Sequence, residues 1–450
     1  MSGSGGESSA PLTRRSIFAQ AWPIILGQAS IPLVGIVDTF VIGRTGDAVA
    51  LAGVALGSVI VTFVFWAFGF LRMGMTGLTA QAYGTGDTLE TNALLVRGLA
   101  MGAVIGLILF ALQWPLTAGA FALMAGGEKL TEAAHGYVSV RFFGAPAALG
   151  FYALLGWLFG LGRTRAALAL QLIMNVANVA LDIGFVWGLG WGARGVAAGT
   201  AMAEWIALAS GIAIAVRVSG WPAFLRLRQY PHLFARAELR RLINVNLDIM
   251  IRTLALLFLF AWFANGGARL GTVQLAANAV LNQFVAVGAY VLDAFAFTAE
   301  ARVGAAIGRG RREEVMRAIR LTGEFSLGAG LLLAALILIA GGMVVDGMTP
   351  NGAVRASAYP YLPYVALIPL LGMPAWLLDG VYVGATWSRP FRNAALVTVA
   401  MYIATDLALR PYAAHGLWLA MLLSYLYRAV TLGALLPARL RTIAPRASAA

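Results

Sequence analysis

RAALALQLIMNVANVALDIGFVWGLGWGARGVAAGTAMAE, residues Arg165–Glu204, is the stretch on which the reading of the fold turns. It reads as one apolar helix over about 166–188, a short turn at Gly188–Arg194, and a second apolar helix over about 195–216. A membrane's hydrocarbon core needs about 20 apolar residues at 1.5 Å each, and both helices meet that length. Set into the first helix are Asn175, Asn178 and Asp182, spaced i, i+3, i+7 and therefore on one face. The second carries Thr200 and Glu204, one face at i, i+4. An Asp at the middle of a membrane helix costs roughly 2.5–3.5 kcal/mol on insertion scales. Such groups face a bundle interior or a wet cavity, and a functional site is the first expectation for them. The rest of the chain reads as the housing of that cavity.

Of 450 residues, 60% are hydrophobic and 11% charged, where a soluble domain carries about 25% charged residues. The chain is therefore expected to be an all-α integral membrane protein. With no cysteine, disulfides, thiolate chemistry and Cys-based metal sites are excluded. The net charge of +13 does not point to nucleic acid, because the arginines sit in short loops between apolar spans, where they orient a membrane protein. Met1–Thr13 is rich in Gly and Ser and is expected to be disordered. Arg14–Arg15 and the long apolar stretch after them read as an uncleaved first helix, without the short apolar region and cleavage site of a signal peptide.

Twelve spans are expected, at about 16–43, 50–80, 93–116, 134–161, 166–188, 195–216, 240–264, 275–301, 317–341, 358–385, 391–409 and 415–437. Of the 32 Lys and Arg, only Arg72, Arg141 and Arg252 are placed within spans. With the N-terminus in the cytoplasm, Arg44, Lys129, Arg194, Arg269, Arg355 and Arg410 lie outside and the remainder at inner loops or helix ends. That asymmetry places both termini in the cytoplasm of a multi-pass protein of the inner (plasma) membrane.

The chain also repeats. A shift of 224 residues carries Leu51–Ala52 onto Leu275–Ala276, and Ala82, Gly84 and Gly86 onto Ala306, Gly308 and Gly310. It carries Gly156 onto Gly380, Gly160 onto Gly384, Arg165 onto Arg389 and Asp182 onto Asp406. Each half holds six spans, so both halves insert the same way up. The expected architecture is two six-helix lobes related by a pseudo-two-fold axis along the membrane normal, with a cleft between them. The expected division is a disordered cytoplasmic N-terminus at 1–15, an N-terminal lobe at 16–217, a cytoplasmic linker at 218–239, a C-terminal lobe at 240–437 and a cytoplasmic tail at 438–450. The linker, basic with scattered apolar residues, suits an interfacial helix.

Topology gives each polar residue a depth. Asp38 lies five residues before the outer end of span one, Asp182 six before that of span five, and Thr200 five residues into span six. Each is then about 7–9 Å below the outer surface, with Tyr137 near the same level. Asp38, Asn178, Asp182 and Thr200 are expected to meet inside the N-terminal lobe. Two carboxylates in a poorly hydrated pocket repel, so such a pair would take a proton or hold Na⁺ with the amide and hydroxyl oxygens around it. The competing expectation is interhelical hydrogen bonding that only joins the helices. Asn175, Tyr137 and Glu204 are supporting candidates. Pro23 and Pro32 precede Asp38 in span one and allow a kink that could change with protonation. Asp248, Arg252, Asp293 and Asp379 are the remaining charges of this kind. Asp248 and Arg252, at i, i+4, can neutralise each other, and Asp379 with Asp248 is the candidate for a second cation site in the C-terminal lobe.

Enzyme chemistry finds no support. The three His (His135, His232, His415) have no metal-ligand spacing, and no GxxxxGK[ST] is present, so the chain carries no ATP motor of that type. No cofactor is expected beyond H⁺ or Na⁺ as a coupling ion.

Several segments resemble the MATE (multidrug and toxic compound extrusion) transporters. They are Pro23-Ile-Ile-Leu-Gly27, Val37-Asp38-Thr39 with Gly43, Ala80-Gln81-Ala82-Tyr83-Gly84-Thr85-Gly86-Asp87, and Asn178 with Asp182. Ile251-Arg252-Thr253-Leu254, and Leu378-Asp379-Gly380 with Gly384-Ala385-Thr386, are similar to the DinF branch. The likeness covers about residues 16–437. It implies a secondary antiporter of two six-helix bundles that exports cationic or amphipathic compounds in exchange for H⁺ or Na⁺. It further implies an N-lobe site at Asp38, Asn178, Asp182 and Thr200, with Tyr137 and Asn175, and a kink residue at Pro23. The family's other branch uses acidic residues in spans seven and ten, where Asp379 matches approximately and Asp248 sits early in its span.

Two other readings compete. A flippase for a lipid-linked precursor would need a large basic cleft for a pyrophosphate, and only Arg72, Arg141 and Arg252 offer themselves. A membrane-embedded acyltransferase would need a paired catalytic His and Asp at one interface, which the sequence lacks. The expected partners are a small cationic or amphipathic substrate and the lipid bilayer, with the chain a monomer.

Overall fold

A computed structural model describes residues 12–123 and 127–443. Met1–Pro11 of the expected disordered N-terminus and Ala444–Ala450 of the expected tail lie outside the described residues. The helices are α1 (Arg14–Gly43), α2 (Ala48–Ala67), α3 (Phe70–Gly84), α4 (Thr88–Ala111), α5 (Gln113–Leu123), α6 (Glu128–Phe142), α7 (Ala145–Gly160), α8 (Thr164–Ile183) and α9 (Gly192–Ser219). After them come α10 (Trp221–Arg226), α11 (Arg236–Arg269), α12 (Thr272–Gly308), α13 (Arg312–Met348), α14 (Gly352–Ala358), α15 (Leu362–Gly384), α16 (Ser388–Leu409) and α17 (Ala413–Arg441).

Among the described residues, ten helical stretches are long and apolar enough to cross a membrane. An eleventh forms when α6 and α7, bent by 52°, are taken as one span. The stretch Ser388–Arg441 holds two passes, because the chain turns at Arg410–Tyr412 and α17 packs back on α16. Twelve passes result, at the positions expected. Their interiors are less regular than single helices. The second span breaks at Phe68–Gly69 into α2 and α3. The tenth is interrupted by a 3₁₀ turn at Tyr359–Tyr361, where Pro360 supplies no backbone N–H. Conversely, α1 runs unbroken for 30 residues through both Pro23 and Pro32.

The repeat is built into the close approaches. In one half a Cβ on Gly156 would run into the carbonyl oxygen of Arg72, and one on Gly160 into that of Thr76. In the other half Gly380 meets the carbonyl of Ala296 and Gly384 that of Glu300. All four pairs are related by the same 224-residue shift. A glycine every fourth residue lets two membrane helices touch backbone to backbone, α7 on α3 and α15 on α12. The turn after each also corresponds. Gly162 has φ 70°, and at the shifted position Thr386 holds φ 53°, a left-handed conformation that costs a residue with a Cβ.

Backbone proximity divides the chain into two compact units, Leu26–Met250 on one hand and residues up to Ile25 with Ile251 onward on the other. The divisions fall inside α1 and α11, and buried Pro23 lies just before the first of them. The linker segment belongs to the Leu26–Met250 unit, and Arg97 makes several of the bonds that fasten it there. Arg97 is 1% exposed. Its Nε donates to the Leu233 carbonyl at 2.6 Å and its Nη2 to the His232 carbonyl at 2.8 Å. Glu90 neutralises it through two bonds of 2.6 and 3.0 Å, and the Tyr230 hydroxyl donates to the same carboxylate at 3.2 Å. Truncation by Arg97→Ala leaves two carbonyls without their donor and the Glu90 carboxylate without its counter-charge, an expected loss of about 3–5 kcal/mol. Trypsin should then cut faster after Arg226, Arg228 and Arg236 in everted membrane vesicles. Unchanged cleavage would show that other contacts hold the segment.

Candidate cation-binding site

α8 is an apolar helix with one polar face, and that face is buried. Asp182 is fully buried, Asn178 is 1% exposed, and Asp38 of α1 is 7% exposed. The Asn178 amide spends both its hydrogens, donating to Asp182 Oδ2 at 3.1 Å and to Thr200 Oγ1 at 3.1 Å. Thr200 in turn donates to the Val196 carbonyl one turn back on α9, at 3.0 Å. Asp38 lies close enough to Asp182 and Asn178 to interact with them electrostatically. Asp38, Asn178, Asp182 and Thr200 therefore converge from α1, α8 and α9.

What distinguishes the cluster is a shortage of donors. Asp38 Oδ1, Asp182 Oδ1 and Asn178 Oδ1 are all buried and have no hydrogen-bond partner. A buried acceptor left unmet costs about 1–3 kcal/mol, and more when it is charged. Every hydrogen that Asn178 and Thr200 can offer is already committed. The unmet valence is therefore all of one kind, acceptor oxygen, which is the chemistry a proton or a small cation would satisfy. Gly199 permits it, since a Cβ there would collide with the Asp182 carboxylate and meet its backbone nitrogen at 3.0 Å.

α1 is joined to this face through side chains. The Asn175 amide reaches the Ser30 carbonyl at 3.4 Å, and Trp187 Nε1 donates to the Val41 carbonyl at 2.9 Å. Asn175 thus ties helices together and makes no direct bond to the carboxylates. Trp187 lies in a π-helical turn, Gly184–Gly188, that ends the fifth span. The turn after it is tight because Gly190 and Gly192 take positive φ.

Tyr137 is 2% exposed and lies beside Arg141, with Asp38 and Asp182 close enough to act on its hydroxyl electrostatically. Glu204 does not enter the cluster as a free acid. Its carboxylate takes two bonds from Arg141, at 2.9 and 2.8 Å, both residues being buried. The Arg141 guanidinium also stands over the Phe65 ring at 5.3 Å. The sequence singled out each residue of this pair separately; that spans four and six place them together was not readable from spacing.

The other half shows what the same scaffold does without the donor shortage. The 224-residue shift that carries Asp182 onto Asp406 carries Asp38 onto Trp262. Trp262 Nε1 donates to Asp406 Oδ2 at 2.9 Å, and Arg269 lies 3.7 Å from that oxygen. The equivalent carboxylate is thus neutralised.

The second candidate site is likewise occupied by cations. Asp379 pairs with Arg252, and Arg428 Nε stands 3.6 Å from Asp379 Oδ1. Arg252 lies over the Phe391 ring at 4.8 Å, and Arg428 over Trp376 and Tyr425, each at 5.5 Å. Arg428, assigned from the sequence to an inner helix end, is instead buried in mid-α17. Asp248 is buried on α11.

Comparison with known proteins follows the same outline. The MatE family profile matches residues 23–183 and 249–407. DNA damage-inducible protein F of Escherichia coli is 34% identical over 425 residues, covering 94% of this chain and 91% of that protein. A probable multidrug resistance protein NorM of Agrobacterium fabrum is 27% identical, over 89% of this chain and 86% of the relative. Among solved structures, a MOP superfamily transporter from Pyrococcus furiosus superposes with a TM-score of 0.83 at 17% identity, over 96% of both chains. An outward-facing multidrug resistance MATE transporter does so equally, at 0.83 and 17%, over 96% of each.

Proposed function

This chain belongs to the MatE family and is a multi-pass membrane transporter, not an enzyme; from that premise we propose that it is a secondary antiporter. It exports cationic or amphipathic small molecules in exchange for H⁺ or Na⁺, from the cytoplasm across the inner membrane, with both termini on the cytoplasmic side. The drug-export part rests on relatives that carry the name multidrug resistance protein. Asp38, Asp182, Asn178 and Thr200 bind the coupling ion.

The observation that carries this reading is the set of three buried acceptor oxygens without donors on Asp38, Asp182 and Asn178. A proton or cation there relieves the deficit. Its loss leaves two carboxylates facing each other and favours a rearrangement that separates α1 from α8. Ion and substrate binding are then antagonistic if each prefers a different arrangement. Pro23 supplies a point in α1 that lacks one backbone bond and can bend. The flippase reading finds less support, because Arg141 and Arg252 are each bound to a carboxylate, Glu204 and Asp379.

The test is efflux of ethidium from proteoliposomes under a pH gradient or a Na⁺ gradient, each imposed alone. One gradient should drive export severalfold above the ungraded rate, and its identity names the ion. Absence of gradient-driven flux for a panel of cations would refute the antiport reading.

A further inference from the structure

We propose that the groove between the start of α1 and the first turns of α13 binds the phosphate headgroup of an anionic phospholipid. The groove is open, encloses about 800 Å³, and lies wholly within one unit of the fold. Four guanidiniums line it, those of Arg14, Arg15, Arg317 and Arg320, against a single carboxylate, Glu324. That carboxylate is fully engaged: Arg14 Nε holds one oxygen at 2.9 Å and Arg320 Nε the other at 3.3 Å. Arg15 and Arg317 make no ion pair among the described residues. The groove therefore carries a surplus of positive charge with planar donors, which match a phosphate in pairs.

Its depth and walls select a lipid as the source of that phosphate. α1 and α13 are both membrane spans, and the groove lies where each begins. The arginines stand at the ends of these spans, where a headgroup would lie, with side chains 71% exposed at Arg14 and 80% at Arg320. Directly along the same two helices the surface turns apolar. Phe18 packs against Phe325 with ring centroids 6.0 Å apart and is itself 52% exposed. Leu327 and Leu331 of α13 are also exposed. A free anion would use the arginines alone; a phospholipid uses the arginines and lays its acyl chains along the apolar strip. Basic pockets between membrane helices on the cytoplasmic side are suited to anionic headgroups, and the charge asymmetry puts this end of both helices in the cytoplasm.

The experiment is native mass spectrometry of the full chain released from detergent, titrated with phosphatidylglycerol, phosphatidylcholine or glycerol 3-phosphate. Each guanidinium near an anionic headgroup contributes about fivefold in affinity. Phosphatidylglycerol should bind at least about tenfold tighter than phosphatidylcholine, and the triple variant Arg15→Gln, Arg317→Gln, Arg320→Gln should fall to the phosphatidylcholine level. Arg317→Glu, a single change at the groove, should give a loss of the same direction. Removing equal charge from the linker by Arg226→Gln, Arg228→Gln, Arg236→Gln should leave the affinity intact. Retention of phosphatidylglycerol in the groove variants, or equal loss in the linker variant, overturns the proposal. So does glycerol 3-phosphate binding as tightly as the lipid, which would mark a free-phosphate site.

Discussion

Asp38→Asn should reduce gradient-driven efflux to the background of empty liposomes while the protein inserts and folds as before. The amide is nearly the same size as the carboxyl, so packing of α1 on α8 is kept. Its NH₂ supplies the donor that Asp182 Oδ1 and Asn178 Oδ1 lack in the wild type. The variant is then fixed in the electrostatic state of the ion-loaded site, and it has no charge to uncover when the ion should leave. The same change should raise thermal stability, because an unmet buried acceptor costs about 1–3 kcal/mol. Opposite signs in transport and stability are the signature to look for, read by ethidium efflux and by thermal unfolding in detergent. Normal efflux at normal expression would refute coupling at this cluster.

Asp379→Asn should act in the reverse way. The carboxylate lies between Arg252 and Arg428, and both guanidiniums are largely buried. Without its charge two largely buried cations lose the carboxylate they share. Removing one partner of a buried ion pair costs about 3–5 kcal/mol, so the expected outcome is a lower unfolding temperature and less folded protein in the membrane. Efflux per folded molecule should persist. Unchanged stability with abolished efflux would instead move ion coupling to the C-terminal half.

The two halves bear on these predictions. They share α7-on-α3 and α15-on-α12 packing down to individual carbonyl oxygens. The difference is one position. Where one half has Asp38, the other has Trp262 with a hydrogen to give, and Asp406 is satisfied. On the proposed reading, two carboxylates that each keep an unmet buried oxygen take up an ion; a carboxylate with an indole and a guanidinium is already compensated.

Much of the candidate site was legible because helical periodicity is strict. Asn178 and Asp182 at i, i+4 must share a face, and depth counted from helix ends set Asp38 and Thr200 at their level. Glu204 was less legible. Its partner Arg141 is 63 residues earlier, and no spacing rule connects spans four and six. Arg428 was misplaced for a related reason: a charge near a helix end snorkels to water by default, and its contacts with Asp379, Trp376 and Tyr425 form only in the packed structure.

By itself the sequence determined the solvent, the number of passes and the duplication. Apolar runs of bilayer length have no other stable home, because a spanning backbone must bond to itself, and a constant shift of 224 residues is visible without coordinates. It also determined which residues would be costly in lipid. Tertiary structure alone decided which of those costs are cancelled. Asp379, Glu204 and Asp406 each form an ion pair with an arginine, whereas Asp38 and Asp182 form no ion pair among the described residues and each keeps one buried oxygen without a donor. Charge compensation acts over a few ångströms between helices distant in the chain, so it becomes defined only when the helices are packed.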